Sequence, residues 1–301
     1  QPVEDVIEAV VDSEGDCNPA TVRETLDPVT DDGVVTREAV ETAVSDTSKI
    51  VATAETRTEL AGIAYEDATA AATTVDDLSI VAAQLNRYAD RLEAVEARTV
   101  NLADDLQTPV EQLDDPSAVY ELAAQLRDVA TAAQGVIRTA DELSQDLEDF
   151  EVWLTDPERR YDEFAADIDL IEESVADLTP AADALSTDDR KPAADWADAI
   201  MRVRVMDLLV ADLRAELAEL RAWADREDGK FHAGLTERVA DIERKTTELS
   251  DTLAERAEPE WHDRFDDTIS TLEAELDGFV PPVEWNRVQE TLEERREQAF
   301  N

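Results

Sequence analysis

The chain has 301 residues, of which 43% are apolar, enough for one large domain or two modest ones with a real core. Aspartate and glutamate number 75 against 27 arginines and lysines, a formal charge of −48. The apolar content excludes a disordered acidic tail. The single cysteine, Cys17, excludes an internal disulfide, and the lack of any run of 18 apolar residues excludes a transmembrane helix.

Residues 1–73 read as a small head of short helices. Val3–Ser13 is the first, closed by Gly15. Asn18 and Pro19 form an N-cap and first-turn proline that open Ala20–Val29. Asp31-Asp32-Gly33 is a turn. Thr36 caps a helix from Arg37 to about Asp46. Lys49-Ile50-Val51-Ala52 reads as extended, and Thr53 caps a further helix to about Thr73.

From Asp76 a heptad pattern takes over. Leu78, Leu85, Leu92, Thr99, Leu106 and Leu113 stand seven apart, with Val81, Tyr88, Val95 and Leu102 as the second seam. Asp114-Asp115-Pro116 ends that helix and starts one carrying Leu122, Val129, Val136, Leu143 and Phe150. Asp156-Pro157 repeats the device before Phe164, Ile171, Leu178 and Leu185. After the connection Ser186 to Lys191, Pro192 opens a fourth long helix with seams on Trp196, Val203, Val210, Leu217 and on Ala199, Met206, Leu213, Leu220. Asp228-Gly229-Lys230 breaks it. Leu235, Ile242 and Leu249 mark the fifth. Pro259 starts a shorter one, and Pro281-Pro282 precedes a last helix, Val283–Phe300. Short connections make neighbouring helices antiparallel. A spectrin-like bundle and an elongated hairpin stack both fit this pattern. The five tryptophans lie near helix ends and read as plugs between helices.

No residue set reads as a catalytic centre, so the chain is read as non-enzymatic, with no cofactor. His232 and His262 sit beside carboxylates, but with a quarter of the chain acidic this is the background, and both read as surface histidines rather than metal ligands. No Gly-x-Ser-x-Gly, dinucleotide fingerprint, phosphate loop or EF-hand spacing occurs. Helix Ala20–Val29 followed by Asp-Gly-Val-Val has the form of a recognition helix entering the wing of a winged helix. Thr21, Arg23 and Thr25 are its exposed candidates, with Arg37 beyond the turn, as recognition or docking residues. Residues 1–70 hold 4 basic and 17 acidic residues, the reverse of what phosphate contacts need, so nucleic acid is disfavoured by charge. Membrane-surface helices want basic polar faces, which are missing here.

Lysine is scarce, at Lys49, Lys191, Lys230 and Lys245. A carboxylate-rich, lysine-poor surface on an ordinary core matches proteins that work in molar salt, where the Debye length falls to about 3 Å. The segments Gly33-Val34-Val35-Thr36-Arg37-Glu38-Ala39-Val40 and Ser48 to Arg57 resemble the head of haloarchaeal helical proteins labelled "halo transducer". The resemblance covers roughly the first 70 residues and, loosely, the coiled coil behind them. It implies a haloarchaeal source. A chemoreceptor-type hairpin with a glycine-containing tip is not found.

The sequence therefore predicts an all-α protein. A helical module at 1–73, with a winged-helix-like form open to it, precedes an antiparallel multi-helix bundle of long coiled-coil-type helices at 74–301. The expected function is that of a cytoplasmic scaffold or adaptor acting through helix–helix contacts, with an unidentified protein partner or a second copy. The alternative is a DNA-associated or signalling regulator using the head. No signal peptide is read, and the Gln1 start leaves a trimmed or processed N-terminus open.

Overall fold

Helix starts are fixed by short polar caps and prolines. The Asn18 side chain accepts from the Ala20 N–H at 2.9 Å with Pro19 in the first turn, and Thr36 Oγ1 accepts from Ala39 at 3.1 Å. Asp115 accepts from the Ser117 N–H and Asp156 from Glu158, both at 3.0 Å, immediately before and after their prolines. The computed structural model describes residues 1–14, 18–105, 115–184 and 192–300. Gly15, Cys17, Leu106, Leu113, Asp114, Leu185 and the connection Ser186 to Lys191 lie outside the described residues.

Among the described residues the chain is all-α. The helices are α1 (Val3–Glu14), α2 (Pro19–Leu26), α3 (Arg37–Ala72), α4 (Ser79–Asp105) and α5 (Pro116–Thr155). They continue with α6 (Pro157–Ala184), α7 (Pro192–Arg226), α8 (Ala233–Arg256), α9 (Pro259–Leu276) and α10 (Trp285–Phe300). A two-residue hairpin, β1 (Thr30–Asp31) and β2 (Val34–Val35), interrupts them. Its turn residues Asp32 and Gly33 both have positive φ, 46° and 77°, as a tight hairpin turn of matching twist requires. The backbone of Gln1 pairs with Val35 on the other side of β2.

Two expectations are corrected in the helix boundaries. Lys49-Ile50-Val51-Ala52 is not extended, and Thr53 does not cap a new helix. A single helix, α3, runs through, and Thr53 Oγ1 donates back to the Lys49 carbonyl at 2.8 Å. Val51 falls on the buried seam between Thr47 and Ala54, so burial overrides the extended preference of the β-branched pair. The last helix begins at Trp285 rather than Val283.

The chain forms two compact units, residues 1–73 with 84–152, and 74–83 with 153–301. In the first unit the head is not set apart from the long helices. Val6, Ile7, Val10, Val22, Leu26 and Val29 share one core with Val119, Leu122, Ala123 and Leu126 of α5. Beyond the head, α3 and α5 run parallel with α4 antiparallel. Arg57 of α3 pairs with Asp141 of α5 at 3.3 Å, and Arg91 of α4 pairs with Asp146 of α5 at 2.7 Å. The heptad seams are the buried sides: Leu85, Tyr88, Val95 and Leu102 on α4, and Leu122 through Phe150 on α5. α3 offers a thin seam of mainly Ala, Thr and Val. Thr58 and Thr99 form a buried hydroxyl–hydroxyl hydrogen bond of 2.8 Å between α3 and α4.

In the second unit α7 is central. α6, α7 and α8 form an up-down-up trio, tied by Arg238 of α8 to Glu172 of α6 and by Arg214 of α7 to Glu243 of α8. α9 runs parallel to α7 and α10 returns antiparallel, closing a second trio on the far side of the same helix. The seam residues Trp196, Val203, Met206, Val210, Leu213, Leu217 and Leu220 are all buried. On α8 the seam contains Thr246, only 1% exposed, whose hydroxyl has no hydrogen-bond partner among the described residues. A buried unpaired hydroxyl destabilises, and its isosteric replacement removes that penalty. Thr246→Val is therefore expected to raise stability by about 1 kcal/mol in urea titration. A loss of stability would show that the hydroxyl is satisfied.

Candidate functional site

The candidate residues of the head are placed by the amphipathic spacing of α2. Val22, Thr25 and Leu26 face the core, and Thr21 and Arg23 face outward. Thr25, expected on the exposed face, is buried. Its Oγ1 donates to the Thr21 carbonyl at 3.0 Å and accepts from Arg127 of α5 at 3.3 Å. Arg127 also lies 3.7 Å from Glu24. Arg23 is held by both carboxylate oxygens of Glu4, at 2.7 and 2.8 Å. Arg37 is exposed in the first turn of α3. In the head α1, α2 and the β1–β2 hairpin follow one another, and α2, the helix read as a recognition helix, is packed against α1 and α5.

A dense polar cluster lies elsewhere, where α5 meets α6. Arg160 is 3% exposed and stacks its guanidinium 3.9 Å from the centre of the Trp223 ring. Nη1 donates to the carbonyls of Leu154, at 2.8 Å, and Trp153, at 3.3 Å, satisfying carbonyls at the end of α5 that have no helical partner. Nη2 reaches Glu227 at 2.7 Å, and the Trp223 indole N–H donates to the other oxygen of that carboxylate at 2.7 Å. Trp153 meets Trp223 edge-on at 5.2 Å. These groups are occupied by one another, and the arrangement works as a corner clamp. Neither Arg160 nor Glu227 stood out in the sequence. An arginine just after a helix-starting proline reads there as solvated.

A second node is Asp212 of α7. Its carboxylate accepts the Val283 N–H at 3.1 Å and the Trp285 indole N–H at 2.9 Å, fastening the start of α10. Asp212→Ala would leave both donors without this partner. The expected result is a loss of about 2 kcal/mol and faster amide exchange confined to α10. Unchanged exchange there would show that the carboxylate does not anchor the helix. Asp198, also on α7, lies within ion-pair distance of Arg202 and Arg296, at 2.8 and 2.7 Å, although Arg296 is off hydrogen-bond alignment.

The tryptophans behave as interhelix plugs. Trp196 donates its N–H to the Leu253 carbonyl at 3.0 Å, and Trp261 packs against its ring. Both histidines lie at the surface. His232 stacks on Tyr161, and His262 sits 2.8 Å from Asp266 and edge-on to Trp196. Among the described residues no group of three His, Cys, Asp or Glu is placed to hold a metal ion. Burial pushes the Tyr88 phenol above its ordinary range. The Arg226 guanidinium, hydrogen bonded to Asp77, holds that carboxyl below the usual range, so the stabilisation from this pair is present at neutral pH and lost on acidification. No helix among the described residues is long and apolar enough to cross a membrane. No family model, curated protein or solved structure matches the chain.

Proposed function

We propose that the protein is a non-enzymatic scaffold or adaptor of a salt-in halophile, working in the cytoplasm through helix–helix contacts. The observation that carries this reading is the distribution of apolar groups. Among the described residues the heptad seams are largely buried inside the two units. Apolar side chains nevertheless remain on outer helix faces, among them Leu60, Ile63 and Val100 in the first unit and Leu170 in the second. Such residues are available to a partner without unfolding either bundle. The polar clusters around Arg160 and Asp212 are occupied by their own partners, which supports a mechanical rather than a catalytic role. The surface chemistry fits a cytosol in which molar salt screens a charge of −48.

The alternative, a DNA-associated or signalling regulator acting through the head, has less support. Thr25 is buried, Arg23 is neutralised by Glu4, and the surrounding charge is acidic. The test is cross-linking in molar KCl followed by mass spectrometry. With only four lysines and 75 carboxylates in the chain, the reagent should be a carboxyl-reactive dihydrazide. Reproducible cross-links from the outer face of a long helix to another polypeptide chain support the adaptor reading. Their absence across preparations from the native cell would remove it.

A further inference from the structure

α3 has an outer face unlike the rest of the surface. At about 100° per residue, Lys49, Thr53, Thr56, Leu60, Ile63 and Asp67 fall opposite its buried seam. All six are exposed, Leu60 by 46% and Ile63 by 53%. A quarter of the chain is acidic, yet between residues 42 and 71 the middle of this face has Lys49 and Asp67 as its charged groups, the remainder being Ala, Thr, Ser, Leu and Ile. Carboxylates return on the flank, at Glu55, Glu59 and Glu66.

Lys49 and Asp67 are equidistant in sequence from Thr58. That symmetry selects an occupant. Two copies of α3 laid antiparallel and centred at the level of Thr58 place Lys49 of each copy against Asp67 of the other. The same register sets Thr53 against Ile63 and Thr56 against Leu60. A parallel pair would oppose Lys49 to Lys49 and Asp67 to Asp67. Lys49 pairs within its own helix with Asp46 at 2.7 Å, but that contact is highly exposed and exchanges easily.

We propose that this face of α3 is the contact surface of an antiparallel homodimer. The proposal rests on the adaptor reading and names its partner as a second copy of the chain. Residues 42–71 span about 45 Å of helix, and a helix-wide contact over that length covers roughly 900 Å² in total. That lies below the usual 1,200–2,000 Å² of a stable complex, so the dimer is weak and exchanging. The two-fold arrangement also brings the Glu55, Glu59 and Glu66 flank of one copy beside its counterpart. That repulsion is screened in molar KCl and not in dilute buffer, so association strengthens with salt.

The experiment is sedimentation equilibrium of the full chain over a hundredfold concentration range in about 3 M KCl. A monomer–dimer equilibrium is expected. Leu60→Glu with Ile63→Glu should abolish it while circular dichroism stays unchanged, because both side chains are exposed. Molar salt screens the Lys49–Asp67 pairs as well, so the charge exchange is read at the lowest KCl concentration that preserves both the circular dichroism and the dimer: there Lys49→Asp should weaken association severalfold, and adding Asp67→Lys should restore it. A chain that stays monomeric at every concentration overturns the proposal. So does a dimer that survives the double glutamate variant, or a charge exchange without rescue. A monomer that still gives heterologous cross-links through its helix faces overturns self-pairing and leaves the adaptor reading. A monomer with none removes both.

Discussion

Dialysis from about 3 M KCl to below about 0.1 M salt is expected to abolish most of the helical circular dichroism at 222 nm. The net charge is −48, and lowering the salt lengthens the screening distance from about 2 Å to about 10 Å, beyond the spacing of neighbouring carboxylates on a helix. Cations are too few to neutralise it locally. Arg238 already serves Asp169 and Glu172, and Arg244 serves Asp241 and Glu248. The hydrophobic reserve is uneven as well. α3 buries chiefly Ala, Thr and Val, so the first unit holds less apolar area per turn along this helix than the leucine-rich α5 or α7 provide. Loss is therefore expected to begin in the first unit, visible as faster amide exchange in α3 than in α7 at intermediate salt. An unchanged spectrum below about 0.1 M would sink the salt-adapted reading altogether.

The second large effect is expected at the Arg160 corner. Trp223→Ala removes a fully buried indole and should destabilise by about 3–5 kcal/mol in urea titration at high salt. Arg160→Ala leaves the Leu154 carbonyl and one side of Glu227 without their donor. Because Glu227 is 38% exposed, water recovers part of the loss, and about 2–4 kcal/mol is expected rather than the full penalty of a buried pair. Arg160→Lys should not rescue. An ammonium cannot lie flat on the indole while donating both to the α5 carbonyls and to the carboxylate. A cost below about 1 kcal/mol for Arg160→Ala would mean that the corner is held by apolar packing alone.

Much of this architecture was legible because its signals are local. In α5 the seam from Leu122 to Phe150 is buried throughout, as is the companion seam Leu126, Ala133, Ala140, Leu147 and Leu154, and in α7 the seams from Trp196 to Leu220 are equally so. Asn18, Thr36, Asp115 and Asp156 act at helix starts where the sequence placed turns and caps. Over Lys49 to Ala52 the extended preference of the β-branched pair yields to the seam of α3, which Val51 continues between Thr47 and Ala54. Thr25 is buried for a related reason. A polar residue on a short helix reads as exposed until the neighbour that covers it is known, and here that neighbour is Arg127, 102 residues away. Asp212 and Glu227 could not have been picked out from among 75 carboxylates, since only their partners distinguish them.

By itself the sequence determined where helices start, which side of each is apolar, and the charge its surface must carry. Backbone capping, side-chain periodicity and ionisation are properties of neighbouring residues. Only the tertiary structure decided which seam closes on which. Apolar burial has no direction, so a heptad face is satisfied equally by any complementary partner. The head came to share its core with α5, and α7 came to serve two trios at once, because the whole chain had to bury its seams together.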